Sequence, residues 1–175
     1  MRSVVTALQD VQKWLTDVAA GMELQLPSED DRIRSYTLTN PCVHIGMIPP
    51  GSILPDSTVI RVPALLVGVS QGSFDDDESE LQMTITAIIY DPGHQTDDGG
   101  KLQTEMNFDG YITLLTVLDH ISMALMRNQV IDNFWQISSP VSVQTYETQP
   151  WPYWYGQIRF NMTGAAYPQT RYKKE

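Results

Sequence analysis

Residues 109–128, DGYITLLTVLDHISMALMRN, limit the possible folds more than any other stretch of the chain. Tyr111, Leu114, Leu115, Leu118, Ile121, Ser122 and Leu125 fall on one line of a 3.6-residue period, and only Ser122 interrupts its apolar character. Asp109 stands as an N-cap or a first-turn acid, and Arg127 closes the other end, so each charge suits its end of the helix dipole. Ile112, Val117, Met123 and Met126 lie off that line, which makes the helix apolar on more than one face. Burial on one side alone does not require them. The expectation is that an N-terminal helix covers most of that surplus surface and a neighbouring copy of the chain covers the rest.

On both sides of this stretch the period changes to two. Residues 81–90 place Leu81, Met83, Ile85, Ala87 and Ile89 on one side, against Gln82, Thr84 and Thr86 on the other. Ile88 and Tyr90 make the end of that strand apolar on both faces, so something must cover it there. Residues 64–70 alternate in the same way, and together the two strands predict a hairpin with 71–80 at its tip. After the helix, 141–146 and 154–162 predict a second hairpin. Residues 2–19, with Val4, Leu8, Val11, Leu15 and Val18 in helical phase, predict an N-terminal helix ended by Gly21. Residues 42–45 read as a short strand and 26–34 as a polar, acidic loop. Pro49, Pro50, Gly51, Pro55 and Pro63 make 48–63 an extended excursion. The segment 91–108 is longer than the usual connection of about 4–6 residues, the behaviour of a binding loop or a disordered one. The economical layering is an α+β fold, a mainly antiparallel sheet of about four strands with two helices packed on one face. One domain spans 1–175, with a frayed tail at about 168–175.

Composition narrows the partners. A net charge of −10 opposes an electrostatic grip on nucleic acid phosphates by the protein as a whole. Charged residues make up 18 %, somewhat low, which leaves surface for protein contacts and favours oligomerisation. Arg2 followed by Gln9, Asp10 and Lys13 matches neither a signal peptide nor a membrane span. The expectation is a soluble, acidic, intracellular domain.

The residues that usually carry chemistry do not assemble a site. His44, His94 and His120 form no ligand-spaced pair, and no Cys-x-x-Cys knuckle accompanies the single cysteine, Cys42. Cys42 reads as a small buried residue in an apolar run. His120 reads as a surface or interface residue before a catalytic base. Around Gly100-Lys101 the hydroxyl residue of a phosphate loop is missing, and acids flank it on both sides. The densest charge is Asp75, Asp76, Asp77 and Glu78, with Glu80 just beyond. Hard cations want such carboxylates, yet the spacing of a helix–loop–helix calcium site is absent. The run therefore reads as a solvated hairpin tip, or as a surface facing a basic partner or a channel that DNA traverses without sticking. No cofactor and no metal is expected, and no enzyme.

One stretch differs in kind. Trp151, Tyr153, Trp154 and Tyr155, interleaved with Pro150 and Pro152, make a stiff, large apolar surface at the head of the last strand. It reads equally as a cap on the core and as a docking surface, since Trp and Tyr are favoured interface anchors. With Ile112, Val117 and Met123 of the helix, these four are the candidate interface residues.

Several phrases then fall into a familiar order. An amphipathic N-terminal helix precedes Pro63-Ala64-Leu65-Leu66-Val67; the strand LQMTITAIIY occupies 81–90; Asp109-Gly110-Tyr111 leads into the Leu-rich helix; and Tyr146-Glu147-Thr148-Gln149-Pro150 enters a Trp-rich strand. Over about residues 60–165 this layout resembles the tail terminator, or tail completion, proteins of tailed bacteriophages and prophages. The Pro-rich 48–63 stretch and the acidic hairpin tip depart from it, as local elaborations or as marks of a neighbouring neck-protein family. The resemblance implies a non-enzymatic virion structural protein that forms a homo-oligomeric, usually hexameric ring. Such a ring caps the head-proximal end of the tail tube and joins it to the head–tail connector protein. It is assembled in the host cytoplasm, touches no membrane, and DNA passes through it without specific binding. Asp75, Asp76, Asp77, Glu78 and Glu80 would then face the lumen or a partner. The alternatives are another head–tail connector, neck or minor tail protein, or a small metal-binding domain using the acids at 75–80 and 91–98.

Overall fold

The computed structural model describes residues 3–27, 37–47, 61–75, 78–98, 101–105 and 108–165, with side chains left out of account at 94–98 and 101–105. The elements in chain order are α1 (Val4–Ala19), β1 (Leu24–Gln25), β2 (Leu38–Thr39), β3 (Cys42–Ile45), β4 (Ala64–Phe74) and β5 (Glu78–Tyr90). They continue with β6 (His94–Asp98), β7 (Lys101–Glu105), α2 (Asp109–Arg127), β8 (Val130–Ile131), β9 (Trp135–Thr145) and β10 (Tyr153–Ala165). Six strands join in the order β3-β4-β5-β10-β9-β8, all antiparallel neighbours except the parallel pair β3/β4. The α+β class and the predominantly antiparallel sheet therefore hold. The expected count of about four strands does not, because β3 and the two-residue β8 extend the sheet at its two edges. β3 is the short strand read at 42–45, whereas a two-residue strand such as β8 carries no readable alternation.

The long strands put one residue set on each face. Leu65 and Val67 of β4, Leu81 to Ile89 by twos of β5, and Trp154, Ile158, Phe160 and Met162 of β10 share a single core with residues of both helices. The helices thus lie on one side. On the other side Val62, Leu66, Ile88 and Tyr155 form a small second cluster, flanked by Tyr90, Tyr146 and Tyr153. That is the cover that the two-sided end of 81–90 required.

α1 begins where the Ser3 hydroxyl accepts the Thr6 N–H at 3.2 Å. Its fully buried face is Ala7, Val11, Leu15 and Ala19, while Val4, Leu8 and Val18 are only partly covered. Ala7 and Ala19 are fully covered, and an apolar-periodicity reading of large residues passes over them. Gly21 does not end the helix by a left-handed turn. The chain instead tightens through Gly21 N–H to Val18 O and Met22 N–H to Ala19 O. The Asn40 amide then donates to the carbonyls of Ala20 and Met22, at 3.1 and 2.7 Å, meeting acceptors that a helix end leaves open.

Either side of Val11, α1 reaches the two halves of the sheet. Asp10 Oδ2 accepts the Trp135 indole N–H at 3.0 Å, and the Gln12 amide donates to the Val43 carbonyl at 3.0 Å. Trp135 begins β9 beside β8, and Val43 lies on β3, so one helix is tied to both margins of a sheet that curls toward it.

α2 spans Asp109–Arg127 with Phe108 at the N-cap position and Asp109 as an acid in the first turn. Its buried line is Gly110, Leu114, Val117, Leu118, Ile121 and Leu125. This is rotated from the line expected: Tyr111 is exposed, Leu115 only partly covered, and Val117 belongs to the core. Each large aliphatic side chain buried here stabilises the fold by roughly 1.5–3 kcal/mol. Two glycines set the approach of α2 to β10. A Cβ on Gly156 would stand 2.7 Å from Leu118 Cδ1, and a Cβ on Gly110 would run into the Trp154 indole. That indole donates to the Asp91 carbonyl at 3.0 Å, while Asp91 Oδ1 and Oδ2 accept from the Gly93 N–H and the Thr113 hydroxyl. The end of β5, the start of α2 and the start of β10 therefore meet at one indole.

The segment 91–108, expected as an irregular loop, contains the antiparallel ribbon β6/β7, with His94 opposite Glu105. The hairpin expected to turn over 71–80 keeps its pairing as far as Phe74 and Ser79. β9 and β10 are each longer than predicted: Trp135 and Ile137 alternate toward the core but Ser138, Ser139 and Pro140 interrupt the signal, and Thr163, Gly164 and Ala165 carry no large apolar side chain. The 48–60 part of the Pro-rich excursion, most of the 26–34 loop and the 168–175 tail lie outside the described residues.

Leu118→Asp places a charge in a fully buried position with no partner, a cost of several kcal/mol against a typical domain stability of roughly 5–15 kcal/mol. Circular dichroism should show the variant unfolded or unfolding far below the wild type. Gly110→Ala sets a helix-propensity gain of about 1 kcal/mol or less against an overpacking cost of about 1–3 kcal/mol at the indole. Urea unfolding should show a net loss of about 1–2 kcal/mol. A stabilised Gly110→Ala variant would mean that α2 does not sit on Trp154 this closely.

Candidate contact surfaces

The expected interface residues divide into an inner and an outer set. Val117 is inside, against the sheet, and so are Trp154 and Tyr155. Each is used by the protomer itself. Trp151 is exposed and Tyr153 is half-buried, its ring meeting Tyr90 edge-on at 5.4 Å. The aromatic turn is thus a core cap through Trp154 and Tyr155 and an outward surface through Trp151.

Gln149 holds that turn. Its Oε1 accepts the Tyr155 N–H at 2.7 Å, and its Nε2 donates to the carbonyls of Tyr146 and Tyr155, both at 2.9 Å. Tyr146 and Tyr155 stack edge-on, 6.1 Å apart. Burial pushes the Tyr155 phenol above the ordinary tyrosine value of 10.0, and negative charge on Tyr153 and Tyr146 would push it further. The stability tied to this phenol is present in full below that ordinary value and is lost as the pH rises through the raised one.

The remaining two helix candidates point away from the core. Ile112 is 61 % exposed and Met123 51 %, on the side of α2 roughly opposite Leu114, Leu118, Ile121 and Leu125. Met126 is 50 % exposed on the same side, and Phe108, just before the helix, is 80 % exposed. α1 therefore leaves this side of α2 open, contrary to the expectation that it would cover most of the surplus apolar surface. It is engaged with β3, β4 and the Trp135 end of the sheet instead. Phe108 escaped the sequence reading because it closes a polar segment; its place one residue ahead of the helix was the signal available.

The acidic run sits at the β4/β5 turn. Asp75, Glu78 and Glu80 are exposed, and Asp76 and Asp77 lie outside the described residues. The Asp75 N–H donates to the Glu78 carbonyl at 3.0 Å, and Asp75 Oδ1 accepts the Glu78 N–H at 2.7 Å, so the carboxylate closes its own turn. Glu80 Oε1 accepts from the Asn161 amide at 3.0 Å. Among the described residues no group of three or more His, Cys, Asp and Glu is placed to hold a metal ion. His44 lies on β3 with its Nε2 buried and without a hydrogen-bond partner among the described residues, and His120 is exposed on α2. Among those residues, too, no helix is long and apolar enough to cross a membrane.

No protein-family model and no curated protein matches this chain.

Converting Asp75, Asp76 and Asp77 together to Asn preserves the side-chain acceptor that closes the turn. The melting temperature should correspond to a change within about 0.5 kcal/mol, the usual range for exposed substitutions. An unfolded triple variant would show that these carboxylates do more than sit in solvent.

Proposed function

We propose that the protein is a ring-forming tail terminator of a tailed phage or prophage, a non-enzymatic virion component that caps the tail tube and joins it to the head–tail connector. The observation that carries this reading is the outward side of α2, where Phe108, Ile112, Met123 and Met126 present large apolar side chains to solvent. Scattered exposed hydrophobics are ordinary, but four along one side of one helix suit a protein-contact surface. The α+β protomer, with two helices on one face of an antiparallel sheet, is compatible with the family that the sequence resembles. Trp151 adds a second exposed anchor in the turn just before β10.

In this reading the copies form a hexameric ring, the tail tube protein and the connector protein meet its two sides, and DNA slides through without specific contacts. The acidic β4/β5 turn is assigned to the lumen or to a basic partner. A run of carboxylates repels phosphates, so it lets DNA pass without retaining it.

Native mass spectrometry should find a closed ring, either free or formed on mixing with tail tubes, and added protein should stop tube growth. A strict monomer that leaves tube length unchanged overturns the reading. The double variant Ile112→Glu, Met123→Glu places charge on exposed positions, so its protomer should melt within a few degrees of the wild type while capping of tubes is lost. Undiminished capping would remove this side of α2 from the contact.

A further inference from the structure

The outward side of α2 carries one charge in the middle of its apolar residues. At about 100° per residue, Asp119 lies within roughly 40° of Ile112, Met123 and Met126 around the helix, and about 10 Å along the axis from both Ile112 and Met126. All four side chains are exposed. Phe108 extends the same side one turn ahead of Ile112.

Asp119 has no cation of its own. The residues three and four positions away are Leu115, Thr116, Ser122 and Met123, so the helix offers it none of the pairs that neutralise a surface carboxylate. Arg127 is the one Lys or Arg in α2, and it stands about 12 Å along the axis and about 80° around it. No ion pair to Asp119 occurs among the described residues.

In water this carboxylate is hydrated and costs nothing. A partner that covers Ile112 and Met123 also strips water from the carboxylate between them, and a dehydrated carboxylate without a counter-charge is strongly unfavourable. A surface that fits must therefore set a Lys or Arg opposite Asp119, within apolar surroundings. The same side of a second copy fails that condition. Two-fold pairing uses one patch on both subunits, so helices joined about the middle of this patch, parallel or antiparallel, bring two Asp119 carboxylates together near the axis. The remaining surfaces of a second copy are handicapped by sign, since the chain has 21 Asp and Glu against 11 Lys and Arg.

We propose that the outward side of α2 docks a basic protein other than this chain, with Asp119 paired to a Lys or Arg of that partner and Ile112, Met123 and Met126 closing around the pair. Apolar neighbours that exclude water place the pair where a charge contributes most to the choice of partner. Asp119 selects, and the apolar side chains hold. This inference rests on the ring of the preceding reading, in which the partners other than a second copy are the tail tube and the connector. α2 then faces one of those two, and the contact between copies lies elsewhere.

The test compares Asp119→Asn and Asp119→Lys with the wild type and with the double variant Ile112→Glu, Met123→Glu. It uses the full-length protein with purified tail tubes and with purified connector protein, at low and at physiological salt. Asp119 is exposed, so both single variants should melt within a few degrees of the wild type, and native mass spectrometry should find the free assembly unchanged. Binding to one partner, tube or connector, should weaken at least about tenfold in Asp119→Asn and vanish in Asp119→Lys, while the other binds as before. That binding should also depend less on salt in Asp119→Asn than in the wild type. Unchanged binding of both partners by Asp119→Lys, with the apolar double variant still failing, overturns the pairing and leaves the tail-terminator reading standing. A free ring that falls apart in Asp119→Lys puts a second copy on α2 and overturns the inference alone. Two-fold dimers of the wild type in place of a ring, or a wild type that binds neither partner, overturn both.

Discussion

The attachment of α1 to both margins of the sheet is the constraint on which the rest of the protomer depends. Asp10 and Gln12 flank the buried Val11, one taking the Trp135 indole N–H and the other giving its amide to Val43. Neither bond contributes much by itself, typically about 1 kcal/mol net. Their importance is geometric: the partners are at opposite ends of a six-stranded order, so the sheet must curl until both come within reach of one helix. The curl encloses the apolar side of β4, β5 and β10 around Leu15, Leu118 and Ile121. It also decides what α1 is unable to do, because a helix held at the margins is not available to cover the outer side of α2.

α2 meets the middle of the sheet by a different device. Gly156 lets Leu114 and Leu118 descend onto β10, and Gly110 lets the first turn rest on Trp154. Close approach of this kind leaves little tolerance for added volume, since protein interiors are packed about as densely as organic crystals. The same indole receives the end of β5 through the Asp91 carbonyl, so the place where the β6/β7 ribbon departs is fixed by the packing of a helix that follows it in sequence.

Much of this was legible in the residues. Alternation in 81–90 and 154–162 identified strands with one face in the main core, and the 3.6 period of 109–128 identified α2, because burial of one face imprints those periods directly. Where burial is two-sided or absent the pattern fails. Val117 looked peripheral because periodicity measures a line of large residues, and Gly110, which opens the true line, contributes none. β3 reads at its observed bounds, 42–45, but β8 is too short to alternate, and β6/β7 is polar apart from Leu102, held by backbone pairing that side-chain chemistry does not report. The candidate contact residues split for the same reason. Aromatic content marked the 151–155 turn, but only the register of β10 decides that Trp154 and Tyr155 turn inward while Trp151 stays out.

Gln149 shows how a side chain stands in for main chain. Its amide accepts from the Tyr155 N–H and donates to the Tyr155 carbonyl, the two bonds a peptide group of an antiparallel neighbour would make. β9 ends at Thr145 and the Tyr146 N–H gives the Tyr155 carbonyl a last, long backbone bond at 3.4 Å, so this amide reinforces that carbonyl and satisfies the Tyr155 N–H where the ladder runs out. A carboxylate of nearly the same shape offers two acceptors and no donor. It would satisfy the N–H and confront the carbonyl with a like-signed oxygen. The position therefore demands an amide for its polarity, and the aromatic turn keeps its shape only while one chemical group presents both ends of a hydrogen-bonding dipole to the same residue.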